Sequence, residues 1–280
     1  PLKLRRALPL LAVLLLAGTA ARAVELKERF DRTVPLKSGS KVELSNVNGN
    51  ATIEAWDRDE VRIEAEKKVK SGNADEAQRV MKQIRIEVAQ TAGGLRIETK
   101  MPRRGNGFLD WFYGREVSLA VTYRIHVPRR TPILAENVNG GLTLTGTRGK
   151  TRLVTTNGTI TVNGVQGDLD LVTVNGGVNV AKATGALRAT TTNGSIEAEL
   201  ASLPEGSDLK FETVNGRVAI RLPRDARLTL DAAAANGRVN SELPVEGGQP
   251  GRRSLQGDIN GGGGTLYVRT VNGGIEINEL

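Results

Sequence analysis

Glu136-Asn137-Val138-Asn139-Gly140, Thr155-Thr156-Asn157-Gly158, Thr173-Val174-Asn175-Gly176 and Thr191-Thr192-Asn193-Gly194 are copies of one phrase, with their asparagines 18 residues apart each time (139, 157, 175, 193). Self-similarity at a fixed period marks a repeat architecture, in which each unit buries its apolar face against the next. Looser copies follow at Asn215-Gly216, Asn236-Gly237 and Asn272-Gly273, and the last step of 36 residues reads as two periods with one phrase missing.

Between phrases the residues alternate. Two positions after each Gly stands an apolar residue (Leu142, Ile160, Val178, Ile196), and two further on another (Leu144, Val162, Val180, Ala198). Period-2 alternation belongs to strands with one buried face. A Gly at 149, 167 and 185 then precedes a second strand-like run led by Leu169 or Leu187. At ~3.3 Å per residue, 18 residues close a loop of about 60 Å. That perimeter suits three short sides around an apolar interior and is too short for a helix with its crossover. The expectation is an all-β solenoid with parallel coils. Asn-Gly suits its corners, because Gly takes positive φ freely and Asn tolerates the left-handed region. In-register asparagines would stack about 4.8 Å apart as an amide ladder. Asn139, Gly140, Asn157, Gly158, Asn175, Gly176, Asn193 and Gly194 are therefore read as a structural turn ladder, and Thr155, Thr173, Thr191 and Thr213 as β-branched strand residues.

Residues 1–23 carry a different signature. Lys3, Arg5 and Arg6 precede an apolar run from Ala7 to Gly18, and Ala21-Arg22-Ala23 is a small-residue cleavage site, so this stretch reads as a secretory signal peptide. No Cys follows it, which excludes a lipoprotein signal, disulfides and thiolate chemistry alike. The expected product is exported, periplasmic or extracellular. The formal charge of +8 counts Lys3, Arg5, Arg6 and Arg22, so the chain from residue 24 carries 8 − 4 = +4. Basic residues scattered among acids at that net charge do not describe a nucleic-acid partner.

Residues 24–130 are expected to form the N-terminal part of the solenoid, and 131–280 the repeat array. Val42-Glu43-Leu44-Ser45-Asn46-Val47-Asn48-Gly49-Asn50-Ala51-Thr52-Ile53-Glu54 repeats both turn and alternation and reads as an opening coil. A short helix over about 74–84 follows. Asn73 and Glu76 have capping-box spacing, and Ala77, Val80, Met81 and Ile84 share one face. Between later strands lies the segment 102–115, where four of the nine aromatics of the chain fall within six residues. Arg103, Arg104, Phe108, Trp111, Phe112 and Tyr113 make it a candidate partner-binding loop, with peripheral membrane contact as one use and an end plug as the plainer one.

Little in the sequence points to chemistry. His126, the single His, has no nucleophile motif beside it. Counting excludes His/Cys metal clusters, and Gly257-Asp258-Ile259-Asn260-Gly261-Gly262-Gly263-Gly264 meets a calcium-repeat pattern once rather than periodically. Asp168 and Asp170 flank Leu169, and Glu197 and Glu199 flank Ala198, so alternation turns both pairs outward as solvated side chains. No cofactor is called for.

The phrase Leu44-Ser45-Asn46-Val47-Asn48-Gly49-Asn50-Ala51-Thr52-Ile53, with Trp56-Asp57 and the recurring Thr-Val-Asn-Gly-x-Val/Ile, resembles the DUF4097 family of adhesin or toastrack β-strand repeat domains in bacterial envelope proteins. The resemblance implies a single-stranded, right-handed parallel β-helix outside the cytoplasm and brings no catalytic residues. Taken together, the expectation is a non-enzymatic envelope solenoid presenting a surface to another envelope protein or a glycan. The alternatives are a polysaccharide-active β-helix enzyme, marked by paired carboxylates in a groove beside an Arg, and a structural component assembling end to end through an uncapped coil at Ile275–Leu280.

Overall fold

The computed structural model describes residues 24–101, 117–247 and 252–280. The proposed signal peptide and the aromatic segment with Arg103, Arg104, Phe108, Trp111, Phe112 and Tyr113 lie outside the described residues.

The chain opens with β1 (Val24–Pro35), β2 (Lys41–Ser45), β3 (Ala51–Trp56) and β4 (Glu60–Ser71), then the helix α1 (Ala74–Gln83). Next come β5 (Arg85–Thr91), β6 (Gly94–Lys100), β7 (Ser118–Pro128), β8 (Ile133–Asn139) and β9 (Leu142–Thr145). The regular part contains β10 (Thr151–Asn157), β11 (Ile160–Asn163), β12 (Leu169–Asn175), β13 (Val178–Thr184), β14 (Leu187–Asn193) and β15 (Ile196–Ser202). It continues through β16 (Asp208–Asn215), β17 (Val218–Leu222), β18 (Leu228–Asn236) and β19 (Val239–Ser241) to β20 (Ser254–Ile259), β21 (Gly264–Asn272) and β22 (Ile275–Glu279).

Among the described residues these strands form two sheets of eleven. From β8 to β19 successive strands alternate between the second sheet and the first. In the second sheet β8, β10, β12 and β14 pair in parallel, with Ile133, Thr151, Leu169 and Leu187 in one column at 18-residue steps. In the first, β9, β11, β13 and β15 align Leu142, Ile160, Val178 and Ile196. These residues face inward and are buried between the sheets, as are Leu153, Leu171, Phe211 and Val162. Each fully buried aliphatic stabilises the stack by roughly 1.5–3 kcal/mol relative to exposure. The third side expected from the perimeter shrinks to bridges joining Arg148 to Gln166 and Gln166 to Thr184, with Val165 buried beside them.

Two expectations about order are corrected. The phrase around Asn48 is not an opening rung: β2 and β3 stack on β8 and β9, while β6 and β7 add a further rung outside them. At the other end β21 lies between β16 and β18, and β22 between β17 and β19. Ile275–Leu280 is therefore interior to its sheet, and the 36-residue step is not a missing phrase but a rung inserted between two earlier ones.

Three of the four sheet edges are formed by strands that reverse direction, and the fourth, β19, runs parallel to β22. β4 pairs antiparallel with β7 and β1 with β4, β5 runs antiparallel to β6, and β20 antiparallel to β18. The edge strand β1, dense in Lys, Arg, Glu and Asp, blunts an edge that would otherwise recruit other chains. The helix α1 packs on β4 and β1 through Ala77, Val80 and Met81, its first turn capped by Asn73 Oδ1 accepting from the Glu76 amide at 3.1 Å.

Candidate binding surface

The Asn-Gly corner has three components, set by residues on alternate sides of one strand. The asparagines face outward, and their amides are linked. Asn157 Nδ2 donates to Asn139 Oδ1, Asn175 to Asn157, Asn193 to Asn175 and Asn215 to Asn193, each at 2.8 Å. Asn272 then donates to Asn215 at 2.7 Å and Asn236 to Asn272 at 3.0 Å. Asn48 lies next to Asn139 in the stack but turns its amide to Leu119 O at 2.5 Å.

The threonines face inward, where the sequence reading saw only strand formers. Thr155 Oγ1 donates to Gly140 O at 3.0 Å, Thr173 to Gly158 O at 2.9 Å, Thr191 to Gly176 O at 2.8 Å, and Thr213 and Thr270 to Gly194 O and Gly216 O at 2.9 Å. All five are buried. Asn137 and Asn46 replace Thr in the first rungs: Asn137 Nδ2 reaches Gly49 O at 2.9 Å and Gly140 O at 3.0 Å, and Asn46 Nδ2 reaches Gly49 O and Val121 O.

At three of the four named glycines the reason for glycine differs from the expected one. Gly158, Gly176 and Gly194 do not have positive φ, and neither do the asparagines before them. A Cβ on Gly176 would lie 2.0 Å from Gly158 O, and one on Gly194 2.0 Å from Gly176 O. Rungs approach too closely at this column for any side chain. Positive φ occurs in this column at Gly49 (117°), Gly140 (137°) and Gly273 (158°), where the expected turn reason holds as well, and at the opposite corner at Gly149 (133°), Gly167 (119°) and Gly185 (118°).

Beside the asparagines runs an outward column that the sequence reading missed: Thr156, Val174, Thr192, Val214, Val271 and Ala235. Val174, Val214 and Val271 are 40%, 41% and 42% exposed, high for aliphatic side chains. The signal was present as the variable residue of Thr-x-Asn-Gly, which is Thr or Val in each copy, with Ala235 in the variant phrase Ala234-Ala235-Asn236-Gly237. Within the ladder each Asn uses one N–H and one lone pair, leaving one of each for a ligand. The edge therefore offers donor and acceptor pairs at rung spacing beside a line of methyl groups.

The sequence profile of the Toastrack DUF4097 family matches residues 131–278, more than half of the chain. The protein belongs to this family. Among curated proteins none matches the chain. Solved structures to which this Toastrack chain is similar include a "putative cell adhesion protein" from Clostridium sporogenes ATCC 15579, at 14% identity and TM-score 0.35, covering 90% of this chain and 100% of that one. A "putative adhesin" from Bacteroides fragilis NCTC 9343 gives 13% identity and TM-score 0.33, with 90% and 97% covered. A "putative lipid binding protein" from Parabacteroides distasonis ATCC 8503 gives 10% and 0.40, with 90% and 96% covered.

Elsewhere the Toastrack chain places its other candidate residues apart. Asp168 is exposed, and Asp170 pairs with Arg152 on the neighbouring strand. Glu197 and Glu199 line a shallow groove on the outer face of the first sheet with Arg217, Arg221 and Glu276. Arg217 reaches Glu197 at 2.6 Å, and that contact raises the Arg217 pKa. Arg221 stands 3.9 Å from Glu199. His126 stacks on Trp56 at 5.2 Å, with Nε2 3.3 Å from Glu54, while Arg58 lies 5.0 Å from the same indole. With ring partners already in place, Trp56 is not an open platform for a ligand. Among the described residues no group of His, Cys, Asp and Glu is arranged to hold a metal, and no helix is long and apolar enough to cross a membrane.

Proposed function

We propose that the protein is an exported, non-enzymatic β-solenoid that presents an adhesin-like binding surface in the bacterial envelope. In this reading the two sheets are faces of one single-stranded, right-handed parallel β-helix with coils of about 18 residues. Residues 1–23 are its signal peptide, 24–130 its N-terminal part and 131–280 its repeat array. The supporting observation is the Asn edge, where spare amide groups and the methyls of Val174, Val214 and Thr192 repeat at rung spacing. A glycan chain has the complementary character, with hydroxyls for the amides and C–H faces for the methyls. A repeating polymer would also gain from a repeating surface, because each engaged unit raises the effective concentration of the next.

The test compares binding of envelope polysaccharides by the wild type and by Val174→Lys/Thr192→Lys/Val214→Lys, whose altered side chains are exposed. Circular dichroism checks that the variant folds. Wild-type affinity is expected to rise with glycan length and to vanish in the variant; equal binding by both proteins removes the Asn edge from the site. Export is tested by fractionation and mass spectrometry, with Val24 as the expected mature N-terminus. A cytoplasmic product retaining residues 1–23 overturns it.

A polysaccharide-active enzyme is the second reading, supported by the groove of Glu197, Glu199 and Glu276 beside Arg217 and Arg221. It requires glycan depolymerisation that Glu197→Gln abolishes. Arg103, Arg104, Phe108, Trp111, Phe112 and Tyr113 lie in the sequence between β6 and β7. We place there a contact with an envelope protein or the membrane surface, tested by crosslinking in cells with the four aromatics changed to Ser.

A further inference from the structure

The rung one step in from the C-terminal end of the stack is filled out of sequence. β21 pairs with β16 from Asp208↔Thr265 to Asn215↔Asn272, and on its other side with β18 from Leu228↔Gly264 to Asn236↔Asn272. β22 lies in the same way between β17 and β19. Residues 264–279 thus occupy a slot whose two walls both precede them in the chain. The guest reaches its place only while the second wall, β18 with β19, stands away from the first.

A hinge and a clamp govern that entry. Asn260, Gly261, Gly262 and Gly263 have φ of 49°, 77°, 72° and 156°, a run of positive values between β20 and β21. The three glycines are free to adopt other conformations, so the run can open without steric cost. Asn260 holds it closed. Its Nδ2 donates to Arg224 O at 3.0 Å and Ala226 O at 2.8 Å, gripping the connection from β17 to β18 that passes the guest rung. The far end is tied as well, since the Leu280 amide donates to Leu222 O at 2.9 Å.

We propose that the slot is a strand-insertion site that also accepts residues 264–279 of a second copy of this chain, giving a dimer by exchange of one rung, and that the Asn260 clamp favours insertion within the chain. The guest fits either copy equally, because its columns match the walls through backbone pairing and the Asn215, Asn272 and Asn236 amides. Intramolecular insertion wins by proximity, and intermolecular insertion gains with protein concentration.

The absence of Cys makes the exchange directly readable. Ala219 and Glu276 are register partners on β17 and β22, and adjacent strands lie at about 4.8 Å, within the Cα range a disulfide spans. Ala219→Cys/Glu276→Cys in one chain, oxidised after refolding, is expected to crosslink within the monomer, and absence of that bond overturns the slot itself. The two single variants are then unfolded together and refolded at high concentration, with Asn260 intact and with Asn260→Gly, which keeps the backbone conformation and removes the clamp. The expected product is a disulfide dimer joining position 219 of one chain to 276 of the other, eluting at twice the monomer mass and more abundant with Asn260→Gly. If the one-chain pair crosslinks but the mixed pair yields no more dimer than Ala219→Cys mixed with Arg152→Cys, rung exchange is refuted.

Discussion

The side-chain amide of Asn272 donates to Asn215 at 2.7 Å across 57 residues of chain, while Asn236, only 21 residues after Asn215, sits on the far side of Asn272. The ladder therefore runs 215, 272, 236. A rung is accepted at a position because its Thr, Asn and Gly meet matching groups in the column. Its place in the sequence does not decide the matter.

The glycine column is the most sensitive part of that match. Gly176→Ala places a Cβ 2.0 Å from Gly158 O, so two backbones must separate, at a cost of about 3 kcal/mol by analogy with overpacked cores. Gly176→Asn discriminates between the two reasons for glycine. A left-handed turn would tolerate Asn, whereas a close backbone contact rejects it as strongly as Ala. Asn175→Ala, which removes two exposed amide bonds, is expected to cost about 1 kcal/mol. Urea titration of the three variants gives the order, and a Gly176→Asn protein as stable as Asn175→Ala would restore the turn explanation.

Thr173 supplies a hydroxyl where water is excluded. Its Oγ1 donates to Gly158 O at 2.9 Å from a buried position. Thr173→Val keeps the shape and leaves that carbonyl without its side-chain donor, at an expected cost of about 1–3 kcal/mol. Thr173→Ser keeps the donor and is expected to recover most of the loss. Thermal unfolding of both against wild type is sufficient, and a Val variant at least as stable as the Ser variant would show that Thr173 acts through shape alone.

The strands, helix and inward columns were legible in the sequence because each follows from local periodicity: Leu169, Leu171 and Thr173 alternate, and Ala77, Val80 and Met81 share a helix face. Rung order was not legible, because Asn236 and Asn272 are each followed by Gly and led by a similar alternating strand, and only Thr270 against Ala234 distinguishes them. The role of Gly176 was hidden for a related reason. Single-chain turn chemistry and inter-rung clearance both select glycine, and only the distance to Gly158 O separates them. On the candidate surface, the asparagines were visible as a period, but the exposed Val174, Val214 and Val271 alternate with Thr156 and Thr192 and so show no apolar repeat.

Asn46 joins the first phrase to the outer rung. Buried, it donates from Nδ2 to Val121 O at 3.1 Å and Gly49 O at 3.2 Å and accepts from Thr99 Oγ1 at 2.9 Å. Asn46→Asp removes both donors and sets an acceptor against two carbonyls, so it is expected to destabilise more than Asn46→Ala, itself about 2–4 kcal/mol. Hydrogen exchange should show the loss concentrated in β6 and β7, with β12 to β15 spared. Uniform loss of protection would mean that the terminal rungs and the array unfold as one unit.

Tyr123 gives the alkaline limit. Its phenol is buried beside Thr99, 2.6 Å away, and burial pushes its pKa from 10.0 up to about 12 despite the hydrogen bond. The unfolded chain therefore loses the phenolic proton first. The stability due to the neutral phenol is complete below pH 10 and disappears as pH rises toward 12, a difference of about 3 kcal/mol if the whole shift is expressed. Tyr123→Phe removes that titration, so its stability should fall less steeply than wild type between pH 10 and 12 even if it starts lower at pH 8. Urea midpoints across that range, together with the ultraviolet signature of phenolate formation, test the assignment. Parallel stability curves for the two proteins above pH 10 would refute it, because the phenol would then titrate alike in the folded and unfolded chain.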